Sequence, residues 1–307
     1  MLSQNLKEAV YFAPRGKERL LTLGNHLAQH YLNPKDRLVG FIGLAGTGKS
    51  LLIRGMFPGL ELTNDDENVN VRPLPLVRDV REGSFRSHTY HVDAHFELAF
   101  VSLTELVEAV ATAVLAGRRV VVEHFDIIAA ALPMNAELLV GVGEEVIVTR
   151  PTIFGPRAGE IAGRVFASTR YRKMVHTAED LTALVLADMG VPPANFHSDI
   201  SHGFILEYVD KLEVDLAQVE QKVHQYIAAD LPVAYHDEQH IKIGERLFPC
   251  TGPRIHVART GDVQGFSLVP RLYLDPLSRL YLLVGMVGGA EKGRMEAASD
   301  AGRRQKG

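Results

Sequence analysis

Gly43-Leu44-Ala45-Gly46-Thr47-Gly48-Lys49-Ser50 reads G-x-x-x-x-G-K-S. Residue types in this order suit one ligand class. Glycines at 43, 46 and 48 let backbone N–H groups close around a phosphate without side chains blocking the approach. The ammonium of Lys49 would meet the β- and γ-phosphate oxygens, and the hydroxyl of Ser50 would take a Mg²⁺ ligand position. Thr47 completes the loop. The chemistry expected is binding of ATP or GTP with Mg²⁺.

A second set of chemically capable residues lies far downstream. His176 and Asp180 are four apart and project from one side of one helical turn. The only cysteine, Cys250, precedes His256 in Cys250-Thr251-Gly252-Pro253-Arg254-Ile255-His256. Two nitrogens, one carboxylate and one thiolate make a four-ligand set for Zn²⁺ or a similar ion. His26 and His30 share the same i, i+4 spacing but lack a third ligand, so they read as helix-surface histidines. His236 and His240 read likewise as surface residues.

These residues need elements to hold them. Leu38-Val39-Gly40-Phe41-Ile42 is a short apolar strand ahead of the glycine-rich loop, and Leu51-Leu52-Ile53 opens a helix behind it. Residues 17–32 form an amphipathic helix stopped by Pro34. Leu60-Glu61-Leu62, Thr89-Tyr90-His91-Val92 and Phe96-Glu97-Leu98-Ala99-Phe100 read as strands. Ser102-Leu103-Thr104-Glu105 is a capping box opening a helix that ends at Gly117. Val120-Val121-Val122 is β-branched throughout, as in a strand buried on both faces of a parallel sheet. Glu123 closes that strand, where an acid can hold Mg²⁺ or its water, with Asp126 as the second candidate.

From about residue 163 the pattern changes. A helix is expected from His176 to Met189, stopped by Gly190 and Pro192. A second helix spans 214–228, and 266–284 forms a closing hairpin turning at Asp275-Pro276. The fold class expected is an α/β nucleotide domain with a parallel sheet over residues 1–165, then an α+β domain over 166–288. A polar tail of 289–307 is expected to be disordered.

Bulk properties narrow the setting. The chain has 307 residues, 46% hydrophobic and 23% charged, with a net charge of −4. That length accommodates two cores, and the charge does not favour a strong non-specific nucleic-acid binder. No apolar run reaches spanning length, so no membrane partner is expected. The N-terminus lacks a signal-peptide layout, and one cysteine excludes a disulfide framework; together they point to the cytoplasm.

Two resemblances follow. With its phosphate loop and with Asp65 and Asp66 after the second strand, the first half resembles P-loop kinases of the uridine kinase and phosphoribulokinase type. That resemblance makes Asp65 or Asp66 the base toward a substrate hydroxyl. Arg72, Arg78, Arg81 and Arg86 cluster nearby without forming a clear arginine lid. Residues 174–287 resemble the second additional, or editing, domain of alanyl- and threonyl-tRNA synthetases and freestanding alanyl-tRNA editing proteins. His176 matches the first position of that family's H-x-x-x-H, and Asp180 stands where the second histidine belongs. Cys250 and His256 match its C-x-x-x-H with two extra residues between them. The resemblance implies a metal held by His176, Asp180, Cys250 and His256, and His202 as a nearby acid–base or supporting group. It further implies hydrolysis of an aminoacyl ester of tRNA. Three functions therefore stand open. One is an ATPase or kinase fused to an aminoacyl-tRNA deacylase; another is a small-molecule kinase whose rear domain only binds ligand. The third is a nucleotide-gated sensor of aminoacyl-tRNA or amino acid. Nothing resembles an aminoacylation domain.

Overall fold

The computed structural model describes residues 7–63 and 74–289. The chain divides into two compact units, Met1–Thr169 and Arg170–Gly307.

The first unit is built on one six-stranded sheet. Its strands are β1 (Ala9–Phe12), β2 (Leu38–Ile42), β3 (Thr89–Asp93), β4 (Arg119–Glu123), β5 (Leu138–Val142) and β6 (Glu145–Thr149). They lie in the order β1-β6-β5-β2-β4-β3. β2 is buried along its whole length and pairs in parallel with β4 on one side and β5 on the other. β3 extends the parallel set beyond β4.

The sheet is mixed, however, where a parallel one was expected. β6 runs antiparallel to β5, and β1 antiparallel to β6. The reason is local. Only Gly143 and Glu144 separate the apolar runs of β5 and β6, and a two-residue connection can join only antiparallel neighbours.

Alternation along β2 feeds a separate core on each face. Leu38 and Ile42 pack with Val120 and Val122 and with Leu106 and Val110 of helix α5 (Leu103–Leu115). Val39 and Phe41 pack with Leu20 and Leu27 of α1 (Lys17–Tyr31) and with Leu52 and Ile53 of α2 (Lys49–Met56). Burial of such side chains contributes about 1.5–3 kcal/mol each, so β2 and the loop that follows it are held from both sides. α1 and α2 meet backbone to backbone. A Cβ on Gly24 would stand 2.3 Å from the Leu52 carbonyl oxygen, and one on Gly55 2.2 Å from that of Leu21.

Two expected strands are absent. Residues 60–62 form none. Residues 94–97 form a helical turn, α4 (Ala94–Glu97), because the Asp93 carboxylate accepts from the Phe96 N–H and caps it. Between α2 and β3 lies α3 (Pro75–Arg81), and after β4 comes the short α6 (Phe125–Ile128).

The helix expected from His176 is far longer. α7 runs from Ala158 to Asp188, 31 residues, and the division at Thr169 and Arg170 falls inside it rather than in an exposed linker. Its threonines return their hydroxyls to the preceding turn (Thr169 to Val165, Thr177 to Lys173, Thr182 to Ala178), so these polar positions do not interrupt the helix. No helix among the described residues is long and apolar enough to cross a membrane.

The second unit is α+β. An antiparallel sheet holds β7 (Phe196–Ile200), β8 (Gly203–Tyr208), β12 (Ser267–Leu268), β13 (Tyr273–Leu274) and β14 (Tyr281–Met286). β9 (Val233–Asp237), β10 (His240–Ile243) and β11 (Arg246–Pro249) make a separate three-stranded sheet. Leu181, Leu184 and Val185 of α7 share a core with Val219 and Val223 of α8 (Leu216–Ala228) and with Phe204, Leu206 and Leu283 of the larger sheet.

Candidate nucleotide and metal sites

Residues 43–50 link the carboxyl end of β2 to the amino end of α2. Gly48 is the N-cap of α2 at φ 94°, a left-handed conformation that favours glycine. Gly46 is also left-handed, at φ 78°. The Thr47 hydroxyl donates to the Leu44 carbonyl at 2.8 Å, and the Lys49 ammonium donates to the same oxygen at 3.0 Å. Lys49 is only 4% exposed. Burial draws its pKa below the ordinary lysine range, and the nearby carboxylates of Glu123, Asp93 and Asp126 oppose that shift.

Those acids sit where the sheet places them. Asp93 and Glu123 end β3 and β4 and are register partners in a parallel pair, so both emerge at the edge from which residues 43–50 leave β2. Glu123 is tied on two sides. His91 Nε2 lies 3.2 Å from Glu123 Oε1, and the Thr63 N–H donates to His91 Nδ1 at 3.0 Å. Because Nδ1 accepts, the ring proton belongs on Nε2, and His91 donates to the carboxylate. Burial pushes the Glu123 carboxyl up, but the His91 hydrogen bond, the charge of Lys49 and the Ser50 hydroxyl outweigh it and hold the pKa below its usual value. Ser50 and Glu123 thus touch, as a shared cation would require.

Sequence reasoning missed three groups here. Asp93 is buried, and an oxygen of Asp93, one of Glu123 and a ring nitrogen of His124 lie within 4.8 Å of one another. His124 is held below the ordinary histidine range by burial first and by Lys49 second. Glu97 is fully buried, with the Thr63 hydroxyl beside its carboxyl group. Burial, helped by the Asp93 charge and opposed by the Thr63 hydroxyl, pushes its pKa up to about 8. The H-x-D-x-H run at 91–95 was the available signal, of which the strand alternation at 89–92 takes in only His91 and Val92.

Asp65, Asp66 and Arg72 lie outside the described residues. The remaining arginines of the expected cluster are paired locally: Arg81 with Glu105, Arg78 with Glu82, and Arg86 with Glu82 and Asp79.

In the second unit, three of the four expected ligands converge. Cys250 Sγ lies 3.2 Å from His256 Nε2, and His256 Nε2 lies 3.5 Å from Asp180 Oδ2. The two extra residues between cysteine and histidine are absorbed by a turn. Gly252 N–H donates to the Cys250 sulfur at 3.3 Å, and Ile255 N–H donates to the Gly252 carbonyl at 3.2 Å. Thr177 fixes the histidine. Its hydroxyl donates to Lys173 and its oxygen accepts from Val257 N–H, so His256 Nδ1, at 3.2 Å, serves as donor to it. Nε2 then presents its lone pair to Cys250 and Asp180.

His176 does not join that tight group. It is buried, with its ring edge-on to His256 at a centroid distance of 6.3 Å. His202 sits at the β7–β8 turn with φ 55°, its ring stacked on Tyr171 at 3.7 Å. A Glu–His pair that the sequence did not suggest joins this helix to β7. Buried Glu179, next to Asp180, meets His197 Nδ1 at 2.6 Å.

No family model matches the chain, and no curated protein matches it. Among solved structures it is similar to the ornithine aminotransferase from Toxoplasma gondii ME49, at 10% identity and a TM-score of 0.22, over 85% of this chain and 71% of that one. It is likewise similar to N-acetylornithine aminotransferase from Stenotrophomonas maltophilia K279a, at 10% identity and a TM-score of 0.20, over 82% and 71%. Likeness this slight carries no argument about fold or activity.

Proposed function

We propose that the first unit binds ATP or GTP with a divalent cation, and that the second carries a metal-dependent site of the aminoacyl-ester editing type. One observation carries the nucleotide reading: Lys49 and Ser50 open a helix directly against Glu123, at the carboxyl end of a parallel strand. Helix N-termini favour phosphate through free N–H groups and the helix dipole. A buried lysine beside three acids suits a triphosphate, which brings negative charge to the ammonium while a cation offsets the carboxylates. Ser50, Glu123 and Asp93 supply oxygen ligands of the kind Mg²⁺ takes.

In the second unit, Asp180, Cys250 and His256 supply O, S and N donors, and three protein ligands leave a zinc position for water or substrate. Bound there, zinc would polarise an ester carbonyl or lower the pKa of its water. His176, edge-on to His256, lines the same region. Aminoacyl-tRNA, or the amino acid alone, is the partner this reading names. A small-molecule kinase is the second reading. Asp93, at the carboxyl end of β3 beside Glu123, favours it, because a phosphoryl acceptor needs a base within reach of its hydroxyl.

The test combines two assays on the full chain. Calorimetry with ATP and GTP in Mg²⁺ buffer addresses the first unit, and release of free amino acid from mischarged tRNA by the zinc-loaded protein addresses the second. Absence of nucleotide binding overturns the first half of the proposal; absence of release overturns the second.

A further inference from the structure

At the carboxyl end of β4 two consecutive residues turn toward one cluster. Neighbouring side chains in a strand point to opposite faces, so Glu123 and His124 could not both reach Asp93 from an extended backbone. His124 breaks the strand with φ 56°, the left-handed region that a non-glycine residue enters at an energetic cost. This conformation lets an imidazole nitrogen join the two carboxylates within 4.8 Å. A second imidazole stands by, since the His95 ring lies 5.6 Å from that of His124.

Carboxylates gather around this trio. Asp93, Glu123 and Asp126 all act on the ammonium of Lys49. Glu97 is fully buried beside Asp93, and the buried Asp126 Oδ1 has no hydrogen-bond partner among the described residues. A buried carboxyl oxygen without a partner calls for a ligand or a proton.

We propose that Asp93, Glu123 and His124 form a transition-metal site that takes a first-row dication of the Mn²⁺ kind in preference to Mg²⁺. Mg²⁺ demands oxygen donors in near-ideal octahedral geometry, whereas imidazole beside carboxylate suits the first-row metals. No sulfur belongs to the cluster, which places it on the harder side of that series. The inference deepens the nucleotide reading and rests on it for the placing of the metal beside Lys49 and Ser50, but the metal trio stands without nucleotide.

The experiment uses the full chain carrying His256→Ala, which silences the Asp180–Cys250–His256 cluster. Mn²⁺ and Mg²⁺ affinities are measured with and without ATP, and the Mn²⁺ spectrum is examined for ¹⁴N coupling by pulsed paramagnetic resonance. The variant is His124→Gly, which is comfortable at positive φ, with His124→Asn as a second variant tolerant of the same backbone. The result expected is ¹⁴N coupling in the parent that disappears in both variants. Mn²⁺ affinity should fall by about tenfold or more, with Mg²⁺ affinity unchanged within about twofold. Coupling lost on substitution in a protein that binds no ATP would support the metal site while ending the nucleotide reading. Mg·ATP binding with no ¹⁴N coupling, or equal loss of both metals in the variants, would overturn the metal site and leave the nucleotide reading standing.

Discussion

Cys250 Sγ and His256 Nε2 are 3.2 Å apart although six positions separate them along the chain. Two contacts make that approach possible. The Gly252–Ile255 turn doubles the chain back, and Thr177, on a helix some eighty residues earlier, receives His256 Nδ1 on one side and the Val257 N–H on the other. One hydroxyl thereby sets both the path of the segment and the tautomer of its histidine.

Thr177→Val keeps the shape and removes that hydroxyl. Zinc affinity, measured by competition with a chromogenic chelator, should fall by about 10–100-fold, the usual effect of losing the partner that orients a ligating histidine. The Val257 N–H loses its acceptor as well, so stability should drop by about 1–3 kcal/mol. Unchanged zinc affinity would show that Thr177 does not set the histidine.

Lys49→Ala removes the ammonium on which the Asp93, Glu123 and Asp126 carboxylates act. Nucleotide affinity should weaken by about tenfold or more, in keeping with a charge-assisted contact of about 1.5–3 kcal/mol. Calorimetry checks this. The same affinity in mutant and parent would remove Lys49 from any phosphate contact.

Gly24→Ala and Gly55→Ala each place a methyl against a backbone carbonyl, at 2.3 Å and 2.2 Å respectively. Backbone cannot give way as a flexible side chain can, so α1 and α2 must separate. The expected loss is about 1–3 kcal/mol for either change, read from denaturant midpoints, with weaker nucleotide binding because α2 carries Lys49 and Ser50. A neutral midpoint would mean that the two helices adjust freely.

Glu97 makes stability depend on pH in a stated direction. Its folded-state pKa is raised to about 8 from an ordinary 4.5, so between those values the folded protein holds a proton that the unfolded chain has released. This group's contribution is therefore full below pH 4.5, declines as pH rises, and is lost by about pH 8. Glu97→Gln abolishes the titration. The stability difference between variant and parent should grow in the variant's favour through this window, at a slope of up to about 1.4 kcal/mol per pH unit. Parallel profiles for the two proteins would show that Glu97 is not a buried neutral acid.

Local chemistry determined a large part of this protein. The strand–loop–helix around residues 43–50 was readable because an apolar run, glycines with the φ freedom the turn requires, and a helix start lie within about twenty consecutive residues. The Ser102 cap and the antiparallel pairing of the 266–269 segment with the strand after Asp275-Pro276 were legible for the same reason, whereas the added strand at Tyr273–Leu274 was not. Change of pattern near residue 163 marked a second core, and contacts divide the chain at 169 and 170. The break is helical, however, because nothing in 158–188 is strong enough to stop a helix once both its halves are packed.

What tertiary structure alone decided are the relations between residues far apart. Asp93 and Glu123 become neighbours only because β3 and β4 pair in register, and no period in the sequence specifies which strands adjoin. His91 counts as a buried donor to Glu123, rather than one more strand residue, only after Thr63 has filled its other nitrogen. His202, matched by resemblance, is stacked on Tyr171, while Glu179 meets His197 across the space between a helix and a strand. Sequence carries the short-range terms, propensity, capping and turn chemistry, nearly intact. Long-range packing selects among the many pairings that those terms permit, and it is there that buried carboxyl groups acquire their neighbours and their charge.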